Sequence, residues 1–259
     1  MGRVHLVHSY IQNPQHPVTI AVIGAGGTGS QVVQQLGRIH ATLKAINHPG
    51  LKVSLIDDDI VTEANLGRQL FSKCDVGRNK AHVIIERINR FYGTNWDCYD
   101  KRIDYNSPFK TNITISCVDN MTTRRAIEKL CNFHTKGKHY RDDQAEPLYW
   151  IDFGNGPDYG QVLIQELRSE KKSFNDGNNE HVQLKSIKKM FPKFLLQKDK
   201  PSEPSCSVAE AISRQDLFTN TLLSQVGCSL LWNMFKNGLI DCNGAFVNVS
   251  NLSVKKIKL

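Results

Sequence analysis

Apolar residues follow two rhythms along this chain: short β-branched runs, and longer stretches in which they recur every three or four positions. Val18-Thr19-Ile20-Ala21-Val22-Ile23 and Leu51-Lys52-Val53-Ser54-Leu55-Ile56 have the composition of strands buried on both faces of a parallel sheet. Between them a helix is predicted to run from a glycine cluster through Ala45, where Asn47-His48-Pro49-Gly50 stops it and turns the chain. Ala81, Ile84, Ile85 and Ile88 form one stripe of a second helix. Residues 96–103 predict a third strand and Ile113-Thr114-Ile115-Ser116-Cys117-Val118 a fourth, followed by a helix carrying Ile127, Leu130 and Cys131. Two more strands, at 148–153 and 161–167, flank a turn-rich segment. Leu223, Val226, Leu230 and Met234 then mark a long core helix, and Asn243-Gly244 reads as a hairpin turn.

Strands alternating with helices predict an α/β fold: a Rossmann-like, mostly parallel sheet flanked by helices, with a C-terminal antiparallel extension. Residues 1–17 show no clear period and read as an N-terminal arm, and residues 18–259 as a single domain. A polar and basic insertion occupies about 169–200. Its first part reads as an Asn- and Gly-rich loop, its lysine-rich second part as an amphipathic helix ending near Pro201.

Composition narrows the class. Of 259 residues, 40% are hydrophobic and 22% charged, a balance that excludes collagen-like and disordered chains. No apolar run approaches the roughly 18 residues that cross a bilayer, and the first residues lack an apolar signal core, so a cytoplasmic protein without membrane contact is expected. Seven scattered cysteines with no Cys-x-x-Cys pair point to reduced thiols and to no structural zinc. The formal charge of +8 permits acidic partners, and permits nucleic acid without favouring it.

Candidate chemistry begins at Gly24-Ala25-Gly26-Gly27-Thr28-Gly29-Ser30. Strand, glycine turn and helix in that order bring backbone N–H groups and a helix dipole to one point, where phosphate can sit. Gly24, Gly26, Gly27 and Gly29 remove side chains from that approach; the alternative is a turn needed only for packing. Asp57 ends the second strand, where a carboxylate can accept from ribose hydroxyls, though at a longer interval than the roughly 20 residues of a nicotinamide fingerprint. Asp58 and Asp59 read as turn-capping or solvated carboxylates. These features indicate a nucleotide without saying which.

Downstream lie Asn65-Leu66-Gly67-Arg68-Gln69 and Gly77-Arg78-Asn79-Lys80. Arg68 offers a planar fork for phosphate oxygens and Lys80 a compact charge; the alternative is a pair of surface cations. Asp119, after the fourth strand, falls at the C-terminal edge of the sheet, where it can hold Mg²⁺, with Asn120 as helix cap; the alternative is a helix N-cap made by Asp119 or Asn120. Cys206, before the capping box Ser207-x-x-Glu210, sits ahead of a helix N-terminus that favours thiolate; the alternative is an inert small hydrophobe.

The glycine loop, Asp57-x-Asp59, Asn65-Leu66-x-Arg68-Gln69, Gly77-x-x-Lys80, Cys117-Val118-Asp119-Asn120 and Pro204-Ser205-Cys206-Ser207 together resemble the ThiF/MoeB/HesA family, prokaryotic relatives of ubiquitin-activating enzymes. The correspondence runs over residues 18–231 apart from the insertion, and the spelling around Cys206 is most similar to ThiF-like members of the PRTRC plasmid cassette. The resemblance implies ATP and Mg²⁺ as cofactors and adenylation of the C-terminus of a small ubiquitin-like or sulfur-carrier protein. It also implies a homodimer. Gly24, Gly26, Gly27, Gly29, Ser30, Asp57, Asp59, Asn65, Arg68, Gln69 and Lys80 would hold the nucleotide. Arg68, Lys80 and Mg²⁺-bound Asp119 would be catalytic, with Cys206 accepting the acyl group. The family's two Cys-x-x-Cys pairs are missing, as is its N-terminal arginine segment, for which Arg3 is a poor substitute. Rival readings are an NAD(P) oxidoreductase, a tRNA-modifying dehydratase of the same fold, and a non-catalytic binding module.

Overall fold

The structure, a computed structural model, describes residues 2–107, 110–135, 146–168, 173–197, 199 and 215–259. The chain begins with β1 (Gly2–Leu6) and a short α1 (Ser9–Gln12), then β2 (Val18–Ile23), α2 (Gly27–Ala45), β3 (Leu51–Ile56), α3 (Lys80–Tyr92), β4 (Asp97–Tyr99), β5 (Ile113–Ser116) and α4 (Met121–Thr135). There follow β6 (Tyr149–Asn155), β7 (Tyr159–Glu166), β8 (Phe174–Asn175), β9 (Asn179–His181), a short α5 (Ile187–Met190), α6 (Thr219–Asn237), β10 (Leu239–Ile240), β11 (Cys242–Asn248) and β12 (Ser253–Lys258).

Eight strands form the main sheet in the order β12-β11-β7-β6-β5-β2-β3-β4. From β6 to β4 all pairings are parallel, and β7, β11 and β12 extend the sheet antiparallel. The parallel half needs a helical crossover between strands and is buried on both faces, which is why β2, β3 and β5 read as near-continuous apolar runs. Val22, Leu36, Leu55, Ile84, Tyr149 and Met234 belong to the larger core, with α2 packed against α6. On the opposite face Ile127, Trp150, Leu163 and Ile187 form a second core beneath α4 and α5.

Several expectations are corrected. The third strand is confined to β4, three residues long. Asn243-Gly244 is no hairpin turn: both residues lie inside β11, at a register shift between Cys242 and Gly244. There the fully buried Asn243 donates Nδ2 to the carbonyls of Ile164 and Lys185, and Gly244 has φ +141° with no room for a Cβ beside the Val162 carbonyl. An Asn-Gly pair suits a bulge as well as a turn, because both need a residue free of Cβ. Among the described residues of the lysine-rich stretch, only α5 and a 3₁₀ turn at Phe194–Leu196 are helical, because Pro192 interrupts the helix. Within the segment expected to be a loop, β8 and β9 pair as a hairpin.

β1 runs parallel to β9 and antiparallel to β10 in a four-stranded sheet ordered β10-β1-β9-β8. His5 anchors it. Its Nδ1 donates to the Val182 carbonyl at 3.1 Å, so Nε2 accepts from the Tyr149 hydroxyl at 3.0 Å, and that hydroxyl accepts from the backbone N–H of His8 at 2.9 Å. Burial lowers the His5 pKa from 6.5 to about 4, against the raising effect of the Val182 carbonyl. Above pH 6.5 the ring is neutral in both folded and unfolded chains and contributes no pH dependence. Between 6.5 and 4 the unfolded chain takes up a proton that the folded chain does not, so stability falls with pH by up to roughly 3 kcal/mol. Urea unfolding between pH 7 and 4.5 should show that loss, and His5→Asn should flatten it; an unchanged slope would remove His5 as the cause.

Candidate functional site

The C-terminal ends of β2, β3 and β5 meet at one edge, where open α/β sheets bind ligands. β2 ends at Ile23, and Gly24 (φ +97°) turns the chain, donating its N–H to the Ile56 carbonyl at 2.9 Å. Gly26 then caps α2, a helix with no side-chain cap and no acidic residue in its first turn. Its leading N–H groups are therefore open to an anion. A Cβ at Gly24 would lie 2.7 Å from the Cys117 carbonyl oxygen, and one at Gly29 would overlap the Gly24 carbonyl oxygen. A Cβ on Gly26 would meet nothing within 4 Å. The first two glycines answer to packing, whereas the third leaves an open approach to the helix terminus.

Asp57 stands behind this turn. One carboxylate oxygen accepts from Ala25 N at 2.5 Å, the other from Asp59 N at 2.8 Å. Its pKa is raised by burial, against those hydrogen bonds and the Lys80 charge. Asp59 is exposed and accepts from Lys80 Nζ at 2.8 Å. Asn79 caps α3 and bonds the carbonyls of Asp57 and Asp59 at 2.9 and 3.1 Å, which places Lys80 beneath the aspartates. Carboxylate oxygens of Asp57, Asp58 and Asp59 lie within 4.8 Å of one another. Ser30 is fully buried and donates to the Gly27 carbonyl, and Asn65 caps a 3₁₀ turn by accepting from Thr62 N. Both side chains thus hold local structure.

Arg68 has a different setting. It is half-buried, its NH1 donates to Gln215 Oε1 at 2.9 Å, and its buried Nε has no partner. Among the described residues no carboxylate pairs with it, and desolvation lowers its pKa. Gln215 also accepts from Asn220 Nδ2 at 3.1 Å, and Asn220 accepts from the Thr28 hydroxyl at 2.9 Å. A chain of amides therefore joins Arg68 to the first turn of α2. Gln69 likewise has a buried Oε1 without a partner.

Cys117 N donates to the Ile23 carbonyl at 2.8 Å, which sets the end of β5 beside the glycine turn. Asp119, two residues on, is exposed; its Oδ1 accepts from Asn120 Nδ2 at 3.3 Å while Asn120 Oδ1 caps α4 through Thr123 N at 2.8 Å. A cavity of about 850 Å³ opens beside Asp119, with Arg124, Tyr159, Phe191, Phe194 and Phe246 among its walls. Asp199 occupies the start of α4, accepting from Met121 N and Thr122 N. Cys206 lies outside the described residues. Gln215, Asn220, Arg124 and Asp152 are not singled out by spacing, although Arg124 sits in the first turn after Asp119, a position a motif search could flag.

No helix among the described residues is long and apolar enough to cross a membrane. The NEDD8-activating enzyme E1 catalytic subunit of Dictyostelium discoideum is 35% identical over 123 residues, 45% of this chain and 25% of that protein. Ubiquitin-like modifier-activating enzyme 5 of Bombyx mori is 30% identical over 148 residues, 51% of this chain and 35% of that protein. The chain thus spans about a quarter to a third of these relatives. Among solved structures, E. coli MccB with ATP superposes with a TM-score of 0.58 at 16% identity, over 96% of this chain and 66% of that one. PaaA also scores 0.58, at 14% identity over 93% and 64%. The ThiF family pattern matches residues 6–234, and with the glycine turn and the parallel sheet around it, this chain belongs to the ThiF family.

Proposed function

We propose that the chain uses ATP to adenylate the C-terminus of a small ubiquitin-like or sulfur-carrier protein. The carrying observation is Arg68, a half-buried guanidinium with no carboxylate partner among the described residues, linked through Gln215 and Asn220 to the open first turn of α2. A buried cation without a counter-ion is costly unless an anion joins it. The names of the relatives, which activate NEDD8 or ubiquitin-like modifiers, support a small protein as the other substrate.

In this reading the phosphates rest on the N–H groups behind Gly26, and the exposed Asp59 accepts from the ribose hydroxyls while Asp57 holds the turn. A tail carboxylate oxygen attacks the α-phosphorus: a new P–O bond forms, the bond to the α,β-bridging oxygen breaks, and pyrophosphate leaves with the electron pair. Arg68 and Lys80 stabilise the charge that gathers on the departing phosphates, a largely electrostatic contribution. Asp119 fits Mg²⁺, because it is an exposed hard-oxygen donor with one oxygen free of recorded partners at the sheet edge; Mg²⁺ neutralises phosphate charge when bound. The tail would lie in the cavity beside Asp119, the Cys206 thiolate would attack the acyl carbonyl to form a thioester as AMP leaves, and a homodimer is the expected assembly.

Calorimetry with ATP, NAD⁺ and NADP⁺ tests the class: ATP should bind and the dinucleotides should not. Pyrophosphate exchange into ATP in the presence of small carriers tests the reaction, and Asp119→Ala should abolish it. Binding of NAD⁺ in preference to ATP would replace this reading with a dehydrogenase.

A further inference from the structure

We propose that Arg124 seats the carboxylate of the polypeptide tail beside Asp119, and that Asp152 is the positioning residue that sets its guanidinium; this rests on the adenylation reading above. Arg124 is 6% exposed and lines the cavity next to Asp119. Two of its nitrogens are fixed from below: Nε donates to Asp152 Oδ1 and NH2 to the Phe153 carbonyl, each at 3.0 Å. Asp152 is itself held, accepting from the Ser116 hydroxyl at 2.5 Å, which in turn accepts from Trp150 Nε1 at 2.8 Å.

That leaves NH1. Its recorded partner is the Met121 thioether at 3.7 Å, and a thioether is a weak acceptor. A buried guanidinium nitrogen without an oxygen partner is uncommon and asks for an explanation. The guanidinium carbon lies over the Phe194 ring, 5.9 Å from its centre, and a weakly polar setting strengthens any charge-assisted hydrogen bond made there.

The donors at the start of α4 are engaged, and Tyr159, Gln161 and Gln197 offer the cavity only neutral donors. The first N–H groups of α4 hold Asp199, and Asn120 is committed to Asp119 and Thr123. Lys193 is exposed on the rim. Among the described residues Arg124 is therefore the buried cation of the cavity with an open donor. Because Asp152 already balances its charge, the seat works through directed hydrogen bonds more than net attraction. It would keep the acyl carbonyl after the tail loses its charge to the adenylate.

The test offers the full chain, loaded with an ATP analogue methylene-bridged between the α- and β-phosphates, two pools of random octapeptides. One pool has free C-terminal carboxylates and the other C-terminal amides, and retained peptides are counted by mass spectrometry. The wild-type chain should retain carboxylates over amides at least tenfold. Arg124→Gln should bring that ratio close to one with analogue affinity unchanged, and Asp152→Asn should lower it without abolishing it. Should Arg124→Gln fail to fold, Arg124→Lys keeps the charge over Asp152 but lacks the fork, and should also lose most of the preference. An unchanged ratio in a folded Arg124 variant, or no preference in the wild-type chain, overturns the seat alone. Failure of the analogue to bind overturns the adenylation reading and the seat with it.

Discussion

Replacing Arg68 with alanine should weaken ATP binding by one to two orders of magnitude while leaving the melting temperature unchanged or slightly raised. The two halves of that result have one cause. In the nucleotide-free chain Arg68 is a desolvated cation whose recorded oxygen partner is the neutral amide of Gln215, and its Nε bonds nothing. Removing it relieves a buried charge, and Gln215 keeps its bonds to Asn220 and to the Gly156 carbonyl. With phosphate present the same guanidinium makes charge-assisted hydrogen bonds, each worth roughly 1.5–3 kcal/mol. Calorimetry and thermal unfolding of one protein preparation read both halves. Lost stability with intact ATP affinity would make Arg68 a structural tie to Gln215.

A second pair of variants separates ligand space from packing. Gly26→Val should leave stability within about 1 kcal/mol, because the site has ordinary negative φ and open space at the Cβ position. It should nevertheless abolish detectable ATP binding, since the isopropyl group fills the approach to the first turn of α2. Gly29→Ala should do the reverse in order: its methyl would strike the Gly24 carbonyl oxygen, and overpacking against backbone costs about 1–3 kcal/mol or more, with binding lost as the turn shifts. Equal ATP affinity in Gly26→Val and the wild-type chain would mean that no ligand enters there.

Local signals were legible and distant ones were not. The run Val18–Ile23, the glycine turn and the helix ending at Ala45 lie within one βαβ unit, so composition and spacing suffice to read them. The same holds for Asp119 at the end of β5, because a strand followed by a helix cap fixes its place on the sheet. Residues 2–6 carried no period, since β1 gains its partners from β9 and β10, far along the chain. Arg68 was visible as a cation, but not its link to Gln215 and Asn220, which lie beyond the insertion. Arg124 is not legible from spacing because its orientation is set by Asp152 of β6, 28 positions along the chain. Asn243-Gly244 was misread because a bulge and a hairpin ask for the same residues.

The position of β12 at the margin of the main sheet has a consequence for the protein's behaviour at high concentration. An outermost strand offers a row of unpaired backbone groups to any passing copy, the route by which sheets grow from molecule to molecule and precipitate. Here that strand carries Lys255 and Lys258, with Lys256 paired to Asp241, and a second copy laid alongside would bring Lys255 and Lys258 of each strand together as like charges. At the other margin β4 is three residues long, too short a template for lasting growth. Lys255 and Lys258 of β12 therefore act as a deterrent to fibrous self-association.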